Sequence, residues 1–270
     1  MRVRKELERI PGHEVASHRI DAWWWLVAAV IGLVTLLILT QPDPYWRIIR
    51  FVSDGILVTV GVTMTAFILT LMTGLVAALG RLSRSGLIRT GTTLYVEIAR
   101  GIPLLVQLLF WYFAFPSLIQ NLGGLIHFKP FENYLANPFA MAILGLTFCY
   151  SAYMSEIYRA GIQSIPKGQM EAARSLGMSH GQAMRHIILP QAVRVILPPV
   201  GNEFISLLKD SSLVSVVAVA DMTRRGREFM AASFLPVDTW LMIALLYMIM
   251  TLISARIVAW IEKKTQTEER

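Results

Sequence analysis

The sequence predicts an all-α integral membrane protein of about six transmembrane helices, with its N-terminus in the cytoplasm. Three observations carry that prediction. Hydrophobic residues make up 55% of the chain and charged residues only 16%, with a mean hydropathy of +0.54, a composition that few soluble domains share. The apolar residues are gathered into uncharged runs long enough to cross a hydrocarbon core of about 30 Å. The basic residues fall mostly on one side when those runs are threaded alternately through a bilayer.

Residues 1–21 carry Arg2, Arg4, Lys5, Arg9 and Arg19 and read as a cytoplasmic tail. Ala22–Leu39 follows as a first crossing, with Trp23–Trp25 and Tyr45–Trp46 as aromatic belts at its two ends. A cleavable signal is the rival reading. The run exceeds the roughly 7–15 apolar residues of such a signal, and Thr40-Gln-Pro-Asp-Pro offers no small-residue cleavage site, so a retained helix is expected.

Further crossings are expected at Ile56–Leu79, Pro103–Ile119, Pro138–Met154 and Trp240–Ile253, with a weaker, broken one over Val195–Ala220. This threading puts Arg81, Arg84, Arg89, Arg100, Arg159, Lys167, Arg174, Arg185, Arg194, Lys263 and Lys264 inside. Outside fall only Arg47, Arg50, Lys129, Arg224, Arg225 and Arg227. Leu87, Gly91, Leu94 and Ile98, with Ile88 and Tyr95 beside them, recur at helical spacing and predict an interfacial helix. The chain thus divides into a tail (1–21), a first helix and outer loop (22–54), one transmembrane domain (55–260) with a cytoplasmic polar loop at 164–190, and a cytoplasmic tail (261–270).

That polar loop predicts two short helices and a tight joint. Pro166 suits a first helical turn and Gly177 the left-handed position past a helix end, giving a helix over Lys167–Leu176. Ser179 stands three residues before Gln182 in capping-box spacing, and Pro190 closes the second helix. Glu171, Ala172 and Ala173 leave a low surface that another protein can approach closely. The alternative is an ordinary solvated loop.

Catalytic chemistry finds little support. Gly177-Met-Ser179-His-Gly181 matches the nucleophile-elbow pattern of hydrolases, but that motif needs a preceding strand, and Ser179 is better used as a helix cap. The histidines are scattered and Cys149 is the sole cysteine, so neither a metal site nor a disulfide is expected. The net charge of +7 is spread between apolar runs rather than gathered in one patch, which argues against nucleic acid. No phosphate-cradling Gly-x-x-x-x-Gly-Lys-Ser/Thr loop occurs, so ATP hydrolysis by that route is not expected of this chain, nor is a cofactor.

Glu171-Ala-Ala, Gly177 six residues after Glu171, and Ile188-Leu-Pro190 together resemble the EAA loop of membrane subunits of binding-protein-dependent ABC importers. Tyr95-Val-Glu97-Ile-Ala-Arg100-Gly-Ile-Pro103-Leu-Leu-Val-Gln107 and Ser151-Ala-Tyr153-Met-Ser-Glu156-Ile-Tyr-Arg159-Ala-Gly161-Ile are similar to the polar amino acid branch of that family. Pro190-Gln-Ala-Val-Arg194, Pro198-Pro-Val-Gly-Asn202 and Lys209-Asp-Ser-Ser-Leu213 continue the likeness, which covers roughly Gly55 to Ala255. Ile102 and Ser211 stand where members of the family commonly carry threonine. The residues before Gly55 have no counterpart in its shorter members.

The resemblance implies a type I ABC importer permease in the bacterial inner (plasma) membrane, multi-pass, carrying a polar amino acid or close analogue. It implies two ATPase subunits, which bind ATP and Mg, docked on a coupling helix through Glu171, Ala172, Ala173 and Gly177. It further implies a second permease, identical or related, and a periplasmic or extracellular solute-binding protein. An amino acid zwitterion needs a cationic partner, an acidic or carbonyl partner and polar contacts shielded from lipid. The polar residues within the crossings are therefore assigned to the substrate path: Gln107, Tyr150, Tyr153, Glu156, Asn202, Glu203, Lys209, Asp210 and Ser212. Lys209 and Asp210 are expected to face inward, each with its own partner. The alternative for any one of these residues is a hydrogen bond that holds helices together. A self-sufficient secondary transporter or channel is the alternative function; it would be expected to show matched broken helices in two halves.

Overall fold

The computed structural model describes residues 22–266, which among them form helices and connecting turns and no strand. The basic N-terminal tail and the last four residues of the C-terminal tail lie outside the described residues.

Helix α1 (Ala22–Thr40) is joined through Gln41 to α2 (Pro42–Arg81). At about 1.5 Å per residue, the 40 residues of α2 run roughly twice the thickness of the hydrocarbon core. The segment expected to form an outer loop is therefore helical. Its charges, Asp43, Arg47, Arg50 and Asp54, end an uncharged run and so hide the helix from a hydropathy reading. Tyr45, Ile48 and Val52, spaced at three and four residues, face inward and are almost fully buried.

Helix α3 (Gly86–Gly101) is amphipathic, as the spacing predicts: Val96 and Ala99 are buried against Ala152, whereas Leu87, Leu94 and Ile98 are exposed. Helix α4 (Leu104–Ile126) crosses with a wider π turn at Phe110–Ala114. Helix α5 (Pro138–Gln163), capped by the Asn137 side chain, is the most enclosed crossing. It packs on α2 so closely that a Cβ at Gly74 would sit 2.7 Å from the Met154 Cβ.

The polar loop carries α6 (Lys167–Ser175) and α7 (His180–Ala183). Pro190 does not close the second helix as expected. A π turn at Met184–Ile188 absorbs the missing proline N–H, and the chain continues into α8 (Leu189–Asp210). Helix α8 also runs through Pro198 and Pro199, so the expected break in this crossing falls later, at the 3₁₀ turn Ser211–Val217 after the Lys209-Asp210 pair. Helix α9 (Met222–Ser233), capped by Asp221, leads to the long α10 (Pro236–Gln266).

Five described helices, α1, α2, α4, α5 and α10, are long and apolar enough to cross a membrane. Helix α8 has the length, at 22 residues, but not the apolarity, since it carries Glu203, Lys209 and Asp210 and packs against α2, α5 and α10.

Helix α1 is packed, not loose. Val30 and Val34 are buried in one cluster with Tyr45, Ile48, Met242 and Leu245, and the Arg256 guanidinium lies 5.2 Å and 5.1 Å from the ring centres of Trp23 and Trp24. Removing residues 1–41 is expected to lower the yield of folded protein in the membrane several-fold and to reduce its melting temperature. Unchanged yield and melting temperature would show that α1 supports nothing in the bundle.

Candidate functional site

Three helical segments meet around a cavity of about 430 Å³. Helix α3 ends at Gly101 because Ile102 is extended and Pro103 cannot continue it, which leaves Arg100 at the rim. Tyr150 and Tyr153, three apart, share a face of α5; Glu203, Ser206 and Asp210, three and four apart, share a face of α8. The Tyr150 hydroxyl donates to Asp210 Oδ2 at 2.7 Å, and the Arg100 guanidinium lies 5.3 Å from the centre of the Tyr153 ring. The cavity thus presents one guanidinium, two carboxyls and two phenol rings. A guanidinium fits a carboxylate in bidentate fashion, and carboxylates accept hydrogen bonds from an ammonium.

Of the residues assigned to a path by sequence, Tyr150, Tyr153, Glu203 and Asp210 come together here. Gln107 lies behind the wall, buried, and donates to the Ala99 and Ile102 carbonyls. Glu156 is ion-paired with both Arg81 and Arg159 and ties α2 to α5 outside the cavity lining. Asn202 is exposed on another face of α8, and Ser212 lies half-buried in the 3₁₀ turn outside the lining.

The expectation that Lys209 and Asp210 both face inward is met only by Asp210. Successive helical residues point about 100° apart, so with Asp210 turned onto Tyr150, Lys209 is carried to the exposed face of α8. Sequence reasoning also missed Arg100 and Ser206 as lining residues. The Gly101-Ile-Pro103 break after Arg100, and the three-and-four spacing of Ser206 between Glu203 and Asp210, are the signals that were available.

The polar loop has the local geometry its caps predict. Gly177 has φ +84°, its N–H donates to the Arg174 carbonyl at 3.0 Å, and the Met178 N–H donates to the Ala173 carbonyl at 3.2 Å. This pair of bonds is a Schellman motif. Ser179 and Gln182 cap α7 reciprocally, the Ser179 N–H donating to Gln182 Oε1 at 2.8 Å. On α6, Ala173 is buried while Glu171 and Ala172 are exposed, so the helix is seated by one face and offers the other.

Residues 70–267 match the family described as the binding-protein-dependent transport system inner membrane component. The chain belongs to this family. It is thus a multi-pass protein of the inner membrane. Over 238 residues the permease is 38% identical to the arginine transport system permease protein ArgU of Corynebacterium glutamicum, covering 84% of this chain and 75% of that one. It is 32% identical to the glutamine transport system permease protein GlnP of Escherichia coli, covering 81% and 94% of the two chains. A crystal structure of an amino acid ABC transporter superposes with a TM-score of 0.70 at 37% identity, over 80% of the permease and 94% of that chain. An inward-facing MetNI methionine ABC transporter, at 18% identity and a TM-score of 0.59 over 83% and 98%, shares the fold.

Proposed function

We propose that the permease is the membrane subunit of an ATP-driven importer for polar amino acids, and that the Arg100–Tyr150–Tyr153–Glu203–Asp210 cavity holds the amino acid in transit. The single observation that carries this reading is one guanidinium and two carboxyls lining the same half-open cavity. Arg100 would take the substrate carboxylate, and Glu203 and Asp210 the α-ammonium. When both carboxyls are ionised the lining has one negative charge in excess, which favours a substrate with a cationic side chain. A relative named for arginine transport supports that class.

The energy comes from two separate ATPase subunits holding ATP and Mg, docked on the exposed face of α6 at Glu171 and Ala172; Ala173, expected to share that contact, is buried and instead seats the helix, and Gly177 sets its joint. A second permease, identical or related, completes the pair, and a solute-binding protein delivers substrate at the opposite end of the bundle. The basic polar loop lies in the cytoplasm in this arrangement. Closure of the ATPase pair moves α6, and the helices alternate access to the cavity.

Reconstitution in vesicles tests this directly. Uptake of a labelled amino acid is expected only with the ATPase subunits, ATP and Mg present. Uptake driven by an ion gradient without the ATPases would establish a self-sufficient secondary transporter instead.

A further inference from the structure

Gln107 is 4% exposed, and no part of it lines the cavity. Its amide nitrogen nevertheless donates twice, to the Ala99 carbonyl at 2.7 Å and to the Ile102 carbonyl at 2.8 Å. Those two carbonyls flank Arg100 and Gly101. Ala99 lies in the last turn of α3, where carbonyls have no partner within the helix, and Ile102 lies in the extended joint before Pro103. The side chain therefore folds back from the first turn of α4 and staples the joint that carries Arg100.

Gln107 Oε1 is buried with no hydrogen-bond partner, which is costly and which an apolar side chain would avoid. What the amide contributes here is its two N–H groups.

We propose that Gln107 is a positioning residue for substrate recognition: by pinning the peptides on both sides of Arg100–Gly101, it fixes where the Arg100 guanidinium meets the substrate carboxylate. This rests on the cavity being the amino acid site. Gln107 itself does not touch the substrate. Its loss lets the joint shift, so the guanidinium spends less time in the binding geometry and substrate affinity falls while turnover at saturation persists.

The test uses the assembled transporter in vesicles and reads KM and maximal uptake rate separately. Gln107→Glu keeps the shape but removes the amide hydrogens, Gln107→Leu removes all polarity, and Arg100→Met removes the guanidinium. Losing both hydrogen bonds, each contributing up to about a tenfold effect, should raise KM roughly tenfold in Gln107→Leu, and by less in Gln107→Glu, whose buried carboxyl takes up a proton and can still donate one of them. Maximal rate should stay within about twofold. When Gln107→Leu is added to Arg100→Met, KM should rise no further, because groups acting through one contact are not additive. Unchanged KM in the Gln107 variants, additive effects in the double variant, or loss of assembly in both Gln107 variants would each overturn the assignment. An Arg100→Met variant with wild-type KM would sink the cavity reading and this inference with it. A raised KM there, together with inert Gln107 variants, would sink the inference alone.

Discussion

Gly177→Val is expected to leave the permease folded in the membrane and to cut ATP-driven uptake about fivefold or more. The residue occupies the left-handed region at φ +84°, where a β-branched side chain costs roughly 1–3 kcal/mol. Space is not the obstacle, since a Cβ there would meet nothing within 4 Å. The strain is therefore local to the backbone and relaxes by opening the bonds from Gly177 to Arg174 and from Met178 to Ala173, which set the angle between α6 and α7. A shift of 1–3 kcal/mol in the docking equilibrium corresponds to roughly a 5–150-fold loss. Gly177→Asn, a residue that tolerates the left-handed region, should stay near wild type. Measuring uptake beside the amount of protein in the membrane checks this. A Gly177→Val permease that transports at the wild-type rate would make the loop only a linker.

The second large effect is expected at the cavity. Arg100→Met should raise the KM for amino acid uptake by at least about tenfold, because a hydrogen bond between charged groups contributes roughly 1.5–3 kcal/mol. Glu203→Gln should instead change selectivity. Removing one of the two carboxyls takes away the excess negative charge, so competition assays should show cationic amino acids losing about tenfold relative to neutral ones. Equal inhibition by both classes before and after the change would remove Glu203 from the site.

Where the determinants are local, the sequence was sufficient. The caps of α6 and α7 depend on Pro166, Gly177, Ser179 and Gln182 within a few residues of one another, and the structure reproduces them. The lining of the proposed substrate cavity was legible only in part, for a tertiary reason. A charge or hydroxyl in a crossing signals that it avoids lipid but not which neighbour it meets. Glu156 meets Arg81 and Arg159, and Asp210 meets Tyr150. Arg100 was legible as a topology marker and not as a cavity group, because only the packing of the α3–α4 joint on α5 and α8 gives it that position. The first three turns of α2 escaped notice because their charges broke an apolar run, although Tyr45, Ile48 and Val52 kept helical spacing. Pro190 and Pro198–Pro199 suggested helix ends, yet a π turn and neighbouring helices accommodate them.

The central claim is that the amino acid rests between α5, α8 and the α3–α4 joint within one permease. It is tested most directly by a structure of the assembled transporter with a transported amino acid bound. The account predicts substrate density in the cavity, with its carboxylate against Arg100 and its ammonium against Glu203 and Asp210. An empty cavity, with the substrate held instead on the opposite face of α8 beside Asn202 and Lys209, would contradict it.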